Sequence, residues 1–257
     1  MAYTKEEIEQ MKKELGITDS DEPDERDLSN LEYVLMPRAS TYALGVEALR
    51  TSCLADPLNA QFMFTQDDNS KIISPLTFEE NIKARVDDYE TLFDENGNER
   101  DLNLRTRLFN IWLDSCTGIA YKAKTTKFKI VTECSELINI ASNFNSKYLP
   151  INYRGINSIE LDSSQGVYNK LLTPEQILEH PAWNTAVQDK SLLKTYTDLV
   201  FKLNSGDERM GFWVRQNTAK DELRALFVVN LDDYSFANGD YDLDSLAYFL
   251  RVTQKAP

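Results

Sequence analysis

The chain contains one histidine, three cysteines, nine glycines and eight prolines in 257 residues, and each scarcity removes a class of function. Ser-His-Asp and Cys-His hydrolases need an imidazole base oriented by a third group. His180 is the sole imidazole, in Glu179-His180-Pro181-Ala182-Trp183. A histidine closing a helix there is explained by the helix dipole alone, so no catalytic role is expected. Cys53, Cys116 and Cys134 are widely spaced and form no CxxC pair. No metal site is therefore expected, and an odd set of scattered cysteines reads as reduced thiols rather than a disulfide framework.

The glycines are isolated. Neither GxxxxGK[ST] nor GxGxxG occurs, so phosphate-cradling loops are excluded and no cofactor is expected. Sparse glycine and proline also exclude long flexible or Pro-rich linkers. No apolar run approaches the ~18 residues that cross a bilayer. The start, Met-Ala-Tyr-Thr-Lys-Glu-Glu, lacks the basic and apolar regions of a signal peptide. The expectation is a cytoplasmic protein, or one built into a particle assembled inside the cell, with no membrane partner.

What the chain does have is charge, unevenly placed. Residues 1–35 carry eleven acids against four bases, and residues 77–101 nine against three. Residues 231–244 carry Asp232, Asp233, Asp240, Asp242 and Asp244 with no base, whereas residues 102–135 carry six bases against two acids. These four stretches account for the whole net charge of −14. Such an acidic chain is a poor ligand for nucleic acid or anionic membrane, and its segregated patches suit protein interfaces. A hydrophobic content of 42% marks a folded chain.

Periodicity predicts the elements. Thr4 and Glu7 form a capping box, Gly16 a C-terminal cap, and Ile8, Met11 and Leu15 a narrow apolar stripe between them. The run Asp21-Glu22-Pro23-Asp24-Glu25-Arg26-Asp27 then reads as a solvated connector. Residues 1–27 are thus expected as a helical arm and acidic connector, and 28–257 as one α+β domain with room for a sub-boundary near 148–172. A helix is expected from Ser40 to Leu54. A second, opened by the Thr77/Glu80 capping box, should pair with one over 100–117 in a helical hairpin turned at Asp94-Glu95-Asn96-Gly97-Asn98.

Beyond this hairpin the period shortens. Tyr121 and Ala123 alternate with Lys122 and Lys124, and Phe128 and Ile130 with Lys127 and Lys129, which predicts a lysine-faced strand pair. Helices are expected over 133–144, from the Thr173-Pro174-Glu175-Gln176 start to His180, and over 192–203. Met210–Arg215 and Ala225–Leu231 read as an antiparallel strand pair, and Leu243–Val252 as a short helix or edge strand. The expected class is α+β, helix-rich in the first half, with a small, mainly antiparallel sheet in the second.

Two patterns bear on function. Asp232, Asp233, Asp240 and Asp242 follow a strand and are interleaved with Tyr234, Phe236 and Tyr241, as in a carboxylate-dependent hydrolase. The same residues fit a solvated loop equally well. Calcium does not suit either Asn-Gly loop, because placing Gly97 or Gly239 sixth puts Leu92 or Tyr234 first, where an EF-hand needs an acid. Lys122, Lys124, Lys127 and Lys129 form the one candidate interaction ribbon, a patch that an acidic arm of another copy would complement. The function expected is a non-enzymatic subunit of a larger assembly, such as a viral structural protein or an accessory subunit of a nucleoprotein complex. Its partners are proteins, including copies of itself, and nucleic acid is not expected as a direct partner. An acidic inhibitor or DNA mimic and a carboxylate-dependent hydrolase are the alternatives.

Overall fold

Leu113–Tyr121 is buried at all nine positions, and from this one segment the architecture departs from the expected hairpin. A strand covered on both faces shows no alternation, and with Asp114, Ser115 and Thr117 inside it the period-2 signal disappears. Residues 113–117 are therefore not helix; they begin the central strand of a sheet.

The computed structural model describes residues 31–54, 63–65, 71–91, 108, 111–204, 206–229 and 235–254. Tyr33–Thr253 form one compact unit. The expected arm and connector over 1–27, the turn at 94–98, and Asp232 and Asp233 lie outside the described residues. In chain order the elements are β1 (Leu31–Leu35), α1 (Tyr42–Leu54), β2 (Met63–Thr65), β3 (Lys71–Ile73), α2 (Phe78–Thr91), β4 (Leu113–Tyr121), β5 (Lys127–Val131) and α3 (Ser135–Ile138). They continue with β6 (Leu149–Pro150), β7 (Glu160–Asp162), β8 (Leu171–Leu172), α4 (Pro174–Leu178), α5 (Pro181–Ala186) and α6 (Lys190–Leu203). The last four are β9 (Met210–Trp213), β10 (Glu222–Val228), β11 (Ser235–Asn238) and β12 (Leu250–Gln254).

The helix-rich first half with a small sheet is overturned. An eight-stranded mixed sheet runs β7-β5-β4-β10-β11-β9-β8, with β6 also on β10, while β1 pairs with β12 and β2 with β3. The lysine hairpin forms, with Tyr121 opposite Phe128 and Ile119 opposite Ile130. The expected β9–β10 pair does not. β11 lies between them, parallel to β9 and antiparallel to β10. The cause is the connector after β9, which crosses to the β4–β5 turn. There Asn217 N–H donates to the Thr125 carbonyl and the Thr218 carbonyl accepts from Lys124 N–H, and the Asp221 carboxylate accepts from Ala123 N–H. The returning strand consequently joins β4. The helix expected over 133–144 stops at Ile138, because Asn139, Ser142, Asn143, Asn145 and Ser146 offer the backbone competing hydrogen bonds.

Capping chemistry was legible. Thr77 N–H donates to Glu80 and Glu80 N–H to the Thr77 hydroxyl, and Thr173 with Gln176 forms the second capping box. His180 follows the end of one helix, its N–H donating to the Ile177 carbonyl, and also opens the next. Its Nδ1 accepts from Ala182 and Trp183 N–H at 3.2 and 3.4 Å, and its Nε2 donates to the Val167 carbonyl. Burial pushes its pKa down to about 4, and a neutral acceptor is what a helix N-terminus requires.

The large sheet curls. Four strand spacings separate β5 from β9, about 19 Å on a flat sheet. Yet Phe128 and Phe212 both contact Tyr168, at ring separations of 5.4 and 6.4 Å. The curl encloses an aromatic core in which His180 lies against Tyr168 and Phe212, and Trp183 against Phe78 and Phe212. A second core joins Tyr42, Val46, Leu49 and Cys53 of α1 to Leu243, Ala247 and Phe249.

Gly211 on β9 is opposite Leu171 and Phe236, and a Cβ there would strike the Trp213 ring and the Lys170 carbonyl oxygen. Gly211→Ala is expected to cost about 1–3 kcal/mol, read as a lower urea midpoint with an unchanged slope.

Candidate functional site

β10 is covered along one edge by β4. Its other edge is divided, with β6 opposite Glu222 and Leu223 and β11 opposite Phe227 and Val228. Arg224 lies at the division and is fully buried. Its Nε donates to Glu222 Oε1 at 2.8 Å, and its Nη1 donates to the Asp240 and Tyr241 carbonyls and to the Asp242 carboxylate. The guanidinium also lies 5.7 Å from the Tyr148 ring.

The 239–242 loop is held from outside as well. Arg215 pairs with Asp240 and approaches Asp242 at 3.8 Å, while Lys147 pairs with Asp242 at 3.0 Å. Tyr121 donates its hydroxyl to the Gly239 carbonyl and accepts from Arg215 N–H. Three acids, Glu222, Asp240 and Asp242, thus meet three cations, Arg215, Arg224 and Lys147. Burial raises the Asp242 pKa, but hydrogen bonds from Arg224 and Lys147 outweigh it and hold the carboxyl below its ordinary value. A general acid needs the opposite shift, and a nucleophilic pair needs free oxygens. Asp240 and Asp242 act as anchors for the loop, and Asp232 and Asp233 lie outside the described residues.

The lysine ribbon is largely engaged within its own sheet. Lys127 pairs with Asp162 at 2.8 Å, and Lys122 approaches Glu160 at 4.0 Å. Lys129 donates to the Ile156 carbonyl and lies 4.8 Å over the Tyr153 ring. Lys124 is exposed in the β4–β5 turn with a left-handed backbone, φ 57°. Because β7 pairs with β5, the ribbon is not a free sheet edge.

A small cleft of about 10 Å³, room for about one water molecule, lies beside the loop, lined by Asp114, Tyr42, Phe227, Tyr241, Asp242 and Ser245 among others. Asp114, second residue of β4, is buried. Its Oδ2 accepts from Tyr248 N–H at 2.9 Å, and its own N–H donates to the Tyr248 carbonyl. Burial pushes its carboxyl up to about 7, against the smaller opposing effect of the Tyr248 hydrogen bond. Trp112 lies edge-on to Tyr248 at 5.7 Å and 6.1 Å from Tyr241, which in turn contacts Phe227. Tyr241 is one of three large exposed hydrophobic residues among those described.

Asp114, Arg224 and Trp112 were missed as site residues in the sequence. Their one local signal is a charged residue within an apolar run, Trp112-Leu113-Asp114 and Leu223-Arg224-Ala225. Among the described residues no group of three His, Cys, Asp or Glu side chains is placed to hold a metal ion, and no helix is long and apolar enough to cross a membrane.

No protein-family model and no curated protein matches the chain. A solved structure described as "Accommodation of massive sequence variation in Nanoarchaeota by the C-type lectin fold" superposes with a TM-score of 0.56 at 15% identity. The match covers 88% of this chain and all of that one. The fold is therefore C-type-lectin-like.

Two substitutions test these roles. Arg224→Met strands Glu222 and Asp242 without their buried cation and is expected to cost about 3–5 kcal/mol in chemical denaturation. Asp114 has a folded pKa above its unfolded one, so its contribution is most favourable at low pH and is lost as pH rises from about 4 to about 7. His180 has the reverse sign, contributing above its unfolded pKa near 6.5 and losing that as pH falls to about 4. Asp114→Asn should leave stability near pH 4 unchanged and raise it by a few kcal/mol at pH 8, so melting curves across pH 4–8 rise more steeply than those of the wild type.

Proposed function

We propose that this chain is a non-enzymatic binding protein, working as a subunit of a larger assembly, with the 239–250 loop and Trp112 as its recognition surface. The observation that carries the reading is the clamp at Arg224, which with Arg215 and Lys147 commits the Asp240 and Asp242 carboxylates to holding the loop. A loop fixed from beneath by buried charge presents its outward side chains without the ordering entropy a free loop would lose on binding. The similar structure is described as accommodating massive sequence variation by the C-type lectin fold, and a buried clamp serves that end, since outer residues can change while the anchors stay.

The partner is a protein, or another copy of the chain, as suits a viral structural protein or an accessory subunit of a nucleoprotein complex. Trp112 and the exposed Tyr241 are of the residue types that dominate protein interfaces. The described acids near the loop are interleaved with Arg215 and Lys147, which favours a mixed protein interface over an unbroken DNA-like row of negative charge.

The test is affinity capture of the natural partner with the full chain at ~50 mM salt and elution at ~500 mM, where charge steering is screened. Tyr241→Ala and Trp112→Ala should each weaken retention at least ~10-fold, as hot-spot truncations do, with the circular dichroism spectrum unchanged. Undiminished retention by both variants, or a monomer that retains nothing at low salt, would overturn the proposal.

A further inference from the structure

We infer that Arg85 is the residue that positions Trp112, a second buried clamp beneath the recognition surface. The inference rests on the binding-protein reading and names what fixes the Trp112 half of that surface.

Arg85 projects from α2 and has no exposed surface. Its Nη2 donates to the Ile111 carbonyl at 2.8 Å. Its Nη1 donates to the Val229 carbonyl and to the Tyr196 hydroxyl, each at 2.9 Å. Tyr196 in turn shares a hydrogen bond of 2.7 Å with Ser235 Oγ. All three acceptors are neutral, and among the described residues no carboxylate pairs with Arg85. One guanidinium therefore ties α2 and α6 to the residue before Trp112, to the residue after β10 and, through Tyr196, to the start of β11.

A buried cation with neutral partners is a costly way to fill that volume, since an apolar side chain avoids the penalty of taking a charge out of water. What the arginine supplies is geometry. Its guanidinium is a rigid planar fork, so the two carbonyls it holds keep one separation and one direction. The Ile111 carbonyl belongs to the peptide group that enters Trp112. That residue lies one step outside β4, beyond the ladder pair of Leu113 with Val228. Among the described residues no backbone group bonds to the Ile111 carbonyl, so Arg85 holds the peptide where the sheet does not. The Trp112 indole N–H has no hydrogen-bond partner either, and its ring is placed by contacts with Tyr241 and Tyr248. Arg224 fixes the Tyr241 side of this aromatic pair and Arg85 the Trp112 side. The two anchors are thus set at one spacing before a partner arrives.

The test is proton–nitrogen NMR of the full chain as wild type, Arg85→Met, Arg85→Lys and Tyr196→Phe, with Trp112→Phe assigning the Trp112 indole signal. Both Arg85 variants should shift the Trp112 indole resonance and broaden or double it. The amides of β7, three strands from β10, should stay in place. Tyr196→Phe removes a buried hydroxyl but keeps the bond from Nη2 to Ile111, so its Trp112 resonance should match the wild type. An unmoved Trp112 resonance in both Arg85 variants, an equal shift in Tyr196→Phe, or displaced β7 amides would overturn the inference. Should neither Arg85 variant fold, the wild type still decides. Separate Arg85 Nη1 and Nη2 resonances are expected, because the two groups bond different elements, and one averaged resonance would refute the clamp. If Trp112 moves as expected while partner capture is indifferent to Trp112 and Tyr241, the positioning role stands and the binding-protein reading falls. If capture depends on both aromatics and Trp112 does not move, the inference falls and the reading stands.

Discussion

Arg224 is a full positive charge with no exposed surface, and the loop that carries the candidate site is arranged around it. Taking a guanidinium out of water costs several kcal/mol, which is offset only when its donors are matched. Glu222, the carbonyls of Asp240 and Tyr241, and Asp242 match its Nε and Nη1, while its Nη2 has no hydrogen-bond partner among the described residues. These partners come from β10 itself and from the loop after β11, so the charge is satisfied only when the loop lies in one place. Apolar residues of similar size in place of the arginine and its acids together would fill the volume and leave the loop free to settle elsewhere. The clamp buys position rather than stability.

The same exchange recurs beneath the loop. Tyr121 ties Gly239 to Arg215 through one hydroxyl, and Asp114 ties β4 to Tyr248 through backbone and side chain together. β4 thus anchors both ends of the 239–248 segment, which explains why it is buried throughout. On the other side of the curl the aromatic core around His180 supplies stiffness by packing. One half of the sheet is held by charge and hydrogen bonds, the other by ring contacts. The proposed recognition surface lies on the first, where polar anchors specify a geometry that apolar contacts alone would leave degenerate.

Local chemistry was readable wherever it was satisfied locally. The capping boxes at Thr77 and Thr173 depend on residues three apart, and the Lys127/Phe128/Lys129/Ile130 alternation reports a strand with one buried face. Asp240 and Asp242 were legible as a cluster but not in their role, since their partners Arg215, Arg224 and Lys147 are distant in sequence. The helix expected over 100–117 failed over 113–117, where burial on both faces erased the period. The capping role of His180 was missed for a simpler reason. A residue before proline can end one helix and cap the next, and its two ring nitrogens satisfied the second role.

By itself the sequence determined which motifs are missing and the short-range elements. One imidazole, three scattered thiols and isolated glycines leave the chain without a CxxC pair, GxxxxGK[ST] or GxGxxG, which is read from the sequence whatever the fold. It also determined the charge segregation, which composition alone conveys. Only the tertiary structure decided strand order, the insertion of β11 between β9 and β10, and the pairing of acids with cations. It alone left Asp114 buried without a counter-charge among the described residues. These depend on which distant segments share a face, and a buried charge takes its meaning from neighbours that sequence spacing does not reveal.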